Sequence, residues 1–444
     1  MKKIKDLLFI LAPLFLFFSC GSDSADNPVF GESDVPRIYI DWQKDMVFST
    51  GDTIRLYPEI SPADGATYIW TLGDKVISTE KTLEYEITEF GEFVLRFEVA
   101  RNGVKNHRMA NLVIAKPFVP KTYTKRSVAF LSINGSVSDI QWDEVTHVIL
   151  TSSVVQQSGA PNFEFENGPN ISALITTAHN NGIYVLMDFS GALGSYVSGA
   201  TVYGSYDFYN AAISPTVRQD LINEMLRFVN TNGFDGINIY MDKASETGVF
   251  DNPAALREFY EELAAQAPET TDRGDFLLTM SMVAGGTRSA LDEVVTVPEY
   301  DWINILAFGG EDLIPGPHAS FWMFTDNIDY WTGKGIGKEK INPVAPAFGL
   351  RYFGDISEYT WGNLWQFTEY RGYRAICDEY PNAHETNNIN VDNGLFYDGL
   401  NEVKAKAEYI VSQDYGGMGL WSVENDSKDA AKSLMKQINA SLGN

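Results

Sequence analysis

Between residues 126 and 421 the chain passes repeatedly from strand-length apolar runs to helix-length amphipathic ones, and this alternation limits the fold more than any other feature. The apolar runs are 127–131, 147–150, 183–187, 237–241, 276–282, 302–307, 343–348 and 417–421, and 217–230 and 253–267 exemplify the helical stretches. Eight strands with helices between them predict an α/β domain of the (β/α)8 TIM-barrel type over residues 124–440. An open doubly wound sheet is the competing arrangement. It would usually carry a glycine-rich phosphate turn after its first strand, and Ser132-Ile133-Asn134-Gly135 is a poor one.

Ahead of this region the texture differs. Runs 53–57, 67–70, 82–87 and 93–99 alternate apolar with polar residues, are bounded by turn residues and have no helical stretch between them. They predict a small all-β sandwich of immunoglobulin or PKD-like kind over 37–117, with Trp70 as its core tryptophan. A spacer is the expected role for it. Lys116-Pro117-Phe118-Val119-Pro120-Lys121 breaks the pattern and reads as the linker.

Residues 1–19 have the form of a secretory signal: Lys2, Lys3 and Lys5 make a basic start, and 7–18 form an apolar run too short to span a bilayer comfortably. Leu16-Phe17-Phe18-Ser19-Cys20 resembles a bacterial lipobox, which implies cleavage before Cys20 and its lipidation. The small, acidic stretch that follows makes 20–36 a disordered tether. It is similar to the export signals of surface lipoproteins in Bacteroidetes-type bacteria, which implies an outer-membrane protein facing the cell exterior.

If Cys20 is lipidated, Cys377 is the remaining cysteine and no intramolecular disulfide forms. The net charge of −26 becomes −28 once the signal's three Lys and one Asp are gone (−26 − 3 + 1). Such a balance disfavours nucleic acid and anionic lipid and leaves a neutral ligand as the better fit, with 9 Trp and 22 Tyr offering flat faces for sugar rings. The five His have no H-x-x-x-H spacing, the cysteines make no metal pair and acidic calcium loops are absent, so no metal or other cofactor is expected. Ser190-Gly191 lacks the context of a nucleophile elbow.

The most distinctive octet is Asp235-Gly236-Ile237-Asn238-Ile239-Tyr240-Met241-Asp242. Side chains two apart share a strand face, so Asn238, Tyr240 and Asp242 are expected to point into the barrel, with Asp242 at its open end. Together with Asp188-Phe189-Ser190-Gly191 on strand three, Leu306-Ala307-Phe308-Gly309 on strand six, Ala345-Pro346-Ala347-Phe348-Gly349 on strand seven and Gly416-Gly417-Met418-Gly419-Leu420-Trp421 on strand eight, this octet resembles glycoside hydrolase family 18, the chitinases and endo-β-N-acetylglucosaminidases. The family's fourth strand reads D-G-x-D-x-D-x-E. Its third reads S-x-G-G, and its sixth ends in M-x-Y-D.

The resemblance implies a role for each frame position. The final Glu protonates the glycosidic oxygen, the Asp two residues before it orients the substrate's own acetamido nucleophile, and the strand-six Tyr hydrogen-bonds that group; the ordinary two-carboxylate scheme does not apply. Here Asp242 is one methylene shorter, which withdraws its carboxyl by about 1.5 Å. Tyr240 is neutral where a carboxylate is wanted, and Phe308 has no hydroxyl. The expectation is a surface lipoprotein that binds N-acetylglucosamine-containing glycans without cutting them, as part of an outer-membrane glycan uptake complex. The alternative is an active hydrolase using Asp242 as general acid. Asn238, Tyr240, Asp188, Phe308 and Trp421 are the expected substrate-binding residues, Trp421 as the floor under the sugar. Asp188 also offers a carboxyl from another direction. Tyr196, Tyr203, Tyr206 and Tyr209, with Trp322, Trp331, Trp361 and Trp365, fall in segments expected to be rim loops, about half of the rings as buried loop anchors and the remainder free to stack on a glycan.

Overall fold

The computed structural model describes residues 35–42, 45–115, 118–132, 134–155, 161–162, 169–190, 205–241, 252–271, 274–282 and 284–444. Strands β1 (Arg126–Ser132), β2 (His147–Val155), β3 (Tyr184–Ser190), β4 (Gly236–Tyr240), β5 (Leu277–Met282), β6 (Trp302–Leu306), β7 (Ile341–Pro346) and β8 (Gly417–Trp421) lie parallel in chain order. Val128 of β1 pairs with His147 of β2 on one side and with Gly419 of β8 on the other. That double pairing closes the sheet and excludes the open doubly wound alternative.

Helices α1 (Ile171–Asn180), α2 (Ser205–Ile213), α3 (Arg218–Asn232), α4 (Pro253–Gln266), α5 (Phe321–Gly333), α6 (Tyr373–Glu379), α7 (Leu400–Ser412) and α8 (Leu434–Leu442) accompany the strands. Local chemistry sets their ends. The Asn252 side chain accepts from Ala255 N ahead of Pro253 and starts α4, while Gly233 ends α3 at φ 77°, a conformation that favours a residue without a Cβ. The outward faces of the strands pack against apolar stripes such as Leu221, Ile222, Met225 and Val229 of α3.

The inner face is apolar at the bottom and polar at mid-height. At the amino-terminal ends of the strands, His147 stacks on Tyr184 (centroids 5.5 Å apart), meets Trp302 edge-on at 5.0 Å and has Tyr123 against it at 5.5 Å. The Arg126 guanidinium lies over Trp302 at 4.8 Å. Burial holds the His147 imidazole near pKa 3, so it stays neutral in this plug. Within the expected linker, Phe118 and Lys121 are already part of the barrel unit. Phe118 packs on His179 and Tyr184, each 5.0 Å away, and Lys121 N donates to Gly182 O at 2.8 Å.

The expectation for strand seven needs correction. It ends at Pro346, because Ala347 turns its amide to Trp421 O and its carbonyl to Tyr373 N, and Phe348 begins a different sheet. That sheet is antiparallel, in the order 368–372, 348–352, 395–396, 388–389, and forms a lobe inserted between β7 and β8 with Leu350, Tyr352, Tyr359 and Leu364 at its core. A buried ion pair braces the end of the insertion. Lys406 of α7 donates to Asp398 and to the Ala319 carbonyl, both at 2.5 Å, with Lys406 0 % exposed.

The amino-terminal unit is an antiparallel β structure. Strand Thr67–Leu72 pairs with Gly91–Arg101, placing Trp70 opposite Phe97, and also with Lys75–Ser78. Separate ribbons join Thr53–Leu56 to Leu83–Glu86 and Arg37–Tyr39 to Glu59–Ser61. Trp70 is fully buried and stacks on Phe97 at 4.1 Å, the core position expected for it.

Candidate active site

The octet on β4 divides into two halves with different duties. Asp235 is fully buried, and its Oδ2 accepts from Val185 N at 2.7 Å and from His179 Nε2 at 2.8 Å, tying the strand to β3 and α1. A Cβ at Gly236 would stand 2.1 Å from Leu277 O, so close approach to β5 requires glycine there. These two residues build the barrel wall.

The inward half starts at Asn238, whose hydrogen-bonding capacity is filled. Its Nδ2 donates to Asp188 Oδ1 at 2.5 Å and Ser281 Oγ at 3.0 Å, and its Oδ1 accepts from Thr279 Oγ1 at 2.7 Å and Asn304 Nδ2 at 3.1 Å. Asn304 Oδ1 in turn accepts from Trp302 Nε1 and Asn342 Nδ2, each at 3.0 Å. Asn238 is thus the hub of a buried ladder across five strands, which places it in the barrel core, one of the two roles open to it from the sequence. Asp188 shares this level, fully buried, and burial pushes its carboxyl up to about 7 against the counter-pull of the Asn238 hydrogen bond.

One layer higher, three expected residues converge. Trp421 is half-buried, with its ring 5.0 Å from Phe130 and 6.0 Å from Tyr240, whose exposure is only 8 %. Phe308 packs against the same apolar cluster and meets Phe348 of the inserted lobe edge-on at 5.5 Å. Asp242 lies outside the described residues, as do Cys20, Gly191, Tyr196 and Tyr203.

Glu424 was not anticipated. It accepts from Ser132 Oγ, from Ser132 N at 3.3 Å and from Ser422 Oγ at 2.6 Å, stitching the ends of β1 and β8 together beside Trp421. An acid three residues past the strand-eight tryptophan was its only trace in the sequence. Asn304 and Asn342 were equally missed, although the period-two pattern Trp302-x-Asn304-x-Leu306 marks inward positions.

Three of the aromatics expected at the rim are exposed. Trp322 at the first turn of α5 is 71 % exposed, and Trp361 and Trp365 in the inserted lobe are each 69 % exposed. Two of the group are buried, in helices and not in the loops expected for them. Trp331 lies within α5 at 0 % exposure, and Tyr209 is buried in α2, its hydroxyl accepting from Asn252 N. Helical spacing carried both rings into the core. Tyr206 also falls in α2.

Chemically, the inward strand positions among the described residues carry a single carboxyl, Asp188, which is about half protonated near neutrality. The described residues include no cluster of His, Cys, Asp and Glu able to hold a metal.

The family description "Glycosyl hydrolases family 18" matches residues 107–426, and "PKD-like domain" matches 36–101. A probable endochitinase of Caenorhabditis elegans is 24 % identical over 271 residues, 53 % of this chain and 44 % of that protein, so the chain spans less than half of that relative's length. A chitinase from Bacteroides thetaiotaomicron superposes with a TM-score of 0.58 at 19 % identity, covering 72 % of this chain and 96 % of the other. A class V chitinase from Nicotiana tobaccum in complex with NAG4 gives 0.57 at 14 % identity over 72 % and 99 % of the two chains. At these identities the structural likeness concerns the fold.

Proposed function

Since the chain belongs to glycosyl hydrolase family 18, we propose that its barrel binds oligosaccharides containing N-acetylglucosamine at the mouth formed by Trp421, Tyr240 and Phe308, and does not cleave them efficiently. One observation carries this reading. The inward positions 238 and 240 hold an amide saturated by core hydrogen bonds and a tyrosine packed against Trp421, where the family frame has carboxylates. Each transition-state contact missing from such a site is worth about 2–4 kcal/mol, so turnover falls by several powers of ten even if Asp242 delivers a proton. Binding asks for less: a flat floor and a polar edge.

The location follows from the other end of the chain. Cys20 carries the lipid, 20–36 serve as tether, and the sugar-binding mouth is held outside the outer membrane, where it retains glycans for uptake. The basic start, the apolar run and the Leu-Phe-Phe-Ser-Cys junction support this.

The test is to incubate purified protein with chitotetraose and with high-mannose N-glycans, and to measure retention and released product separately. Intact oligosaccharide after prolonged incubation, with binding weakened at least tenfold by Trp421→Ala, is the expected result. Steady product release that disappears in Asp242→Ala would replace this reading with that of a working hydrolase.

A further inference from the structure

We infer that the amino-terminal sandwich carries a second saccharide site, in an open cleft of about 680 Å³ whose lining includes Tyr39, Asp41, Trp42, Tyr57, Glu59 and Arg108. The backbone explains how the cleft arises. Strand Arg37–Tyr39 pairs antiparallel with Glu59–Ser61, placing Ile38 opposite Ile60 and Tyr39 opposite Glu59. Alternation sends the two isoleucines into the core, at 3 % and 9 % exposure, and turns Tyr39 and Glu59 outward together. Tyr39 is 56 % exposed and Tyr57 is 71 % exposed, so a small domain presents two large rings to solvent beside one hollow.

The third ring has a different setting. Trp42 is half-buried and meets the core Trp70 edge-on at 6.2 Å, which anchors its indole against the sandwich interior. Around these rings stand two carboxylates, Asp41 and Glu59, and one guanidinium, Arg108, so acceptors and a donor occur in the same hollow. The two carboxylates outnumber the single guanidinium there on a chain of charge −26, which disfavours a nucleotide or other polyanion. A neutral ring compound with an apolar face and a hydroxyl-bearing edge suits the whole set, and the volume lies within the range of small-molecule sites. That chemistry is a pyranose. Its identification as β-1,4-linked N-acetylglucosamine rests on the reading proposed for the barrel.

Two sites of one ligand class on one chain would raise retention of a polymer through effective concentration, without any new contact at either site. The sandwich would then serve as a second hand on the glycan.

Titration calorimetry with chitotetraose on the full protein distinguishes the two sites. The wild type should bind at two sites per chain, Trp421→Ala at one, Tyr39→Ala/Tyr57→Ala at one, and the combined variant at none, with circular dichroism verifying that each remains folded. The exposure of both tyrosines makes their removal mild for the fold. Wild-type stoichiometry in Tyr39→Ala/Tyr57→Ala overturns the cleft, as does complete loss of binding in Trp421→Ala or no binding by the wild type. If instead Trp421→Ala changes nothing while the tyrosine variant loses all binding, the cleft stands and the barrel reading falls.

Discussion

Asn238 donates its amide to Asp188 Oδ1 across the seam between β3 and β4, so the carboxyl at this level of the barrel stands on the third strand and its amide partner on the fourth. Burial raises the Asp188 pKa from 3.8 to about 7.

The raised pKa gives a definite pH dependence of stability. Between pH 4 and pH 7 the unfolded chain has released this proton while the folded protein retains it, so the contribution of Asp188 declines as pH rises through that window and is level outside it. A shift of this size amounts to about 4 kcal/mol. Asp188→Asn keeps an acceptor for Asn238 and removes the titration, so it should gain stability relative to wild type on going from pH 4 to pH 8. Urea unfolding at the two values measures this; parallel pH trends in both proteins would refute it.

Asp235 is a fastener rather than a reactant. Asp235→Ala removes the acceptor shared by Val185 N and His179 Nε2 and should cost about 3 kcal/mol in chemical denaturation. Asp235→Asn, which still accepts from the Val185 amide, should cost less than half of that. Gly236→Ala drives a methyl into the Leu277 carbonyl and should give no soluble folded protein. An Asp235→Ala protein as stable as the wild type would contradict the assignment.

Lys406 and Asp398 are worth more together than apart. Lys406→Met should destabilise by about 3–5 kcal/mol, because it leaves a buried carboxylate without its cation. The double variant Lys406→Met/Asp398→Asn should recover most of that loss. The coupling appears in a double-mutant cycle of unfolding midpoints, and additive losses would show that the two groups act independently.

The tryptophans after strands six and seven should sort by burial. Trp331→Ala empties a core site and should cost about 3–5 kcal/mol of stability. Trp361→Ala/Trp365→Ala should leave stability within about 0.5 kcal/mol while weakening retention on insoluble chitin several-fold. Pull-down on chitin beads beside thermal unfolding separates the two effects.

The barrel was legible in the sequence because its strands and helices obey simple periods, and Gly233 and Pro253 punctuate the helices where the structure ends α3 and begins α4. The inserted lobe was not, because Phe348 continues the apolar run of β7 without a break and the turn at Ala347 depends on Trp421 and Tyr373, both distant in sequence. Likewise, Asn238 reads as a site residue from its place in the octet. Only the partners supplied by β3, β5 and β6 reveal it as core. Trp331 and Tyr209 show the same limit: an aromatic in a segment taken for a loop faces inward once that segment proves helical.

The aromatic plug of His147, Tyr184 and Trp302 makes the barrel a blind vessel. With one end stoppered, anything that enters the barrel must arrive and depart by the same doorway. On the reading proposed for the mouth, a glycan would present it with one terminal or bent unit and keep its remaining length outside the barrel.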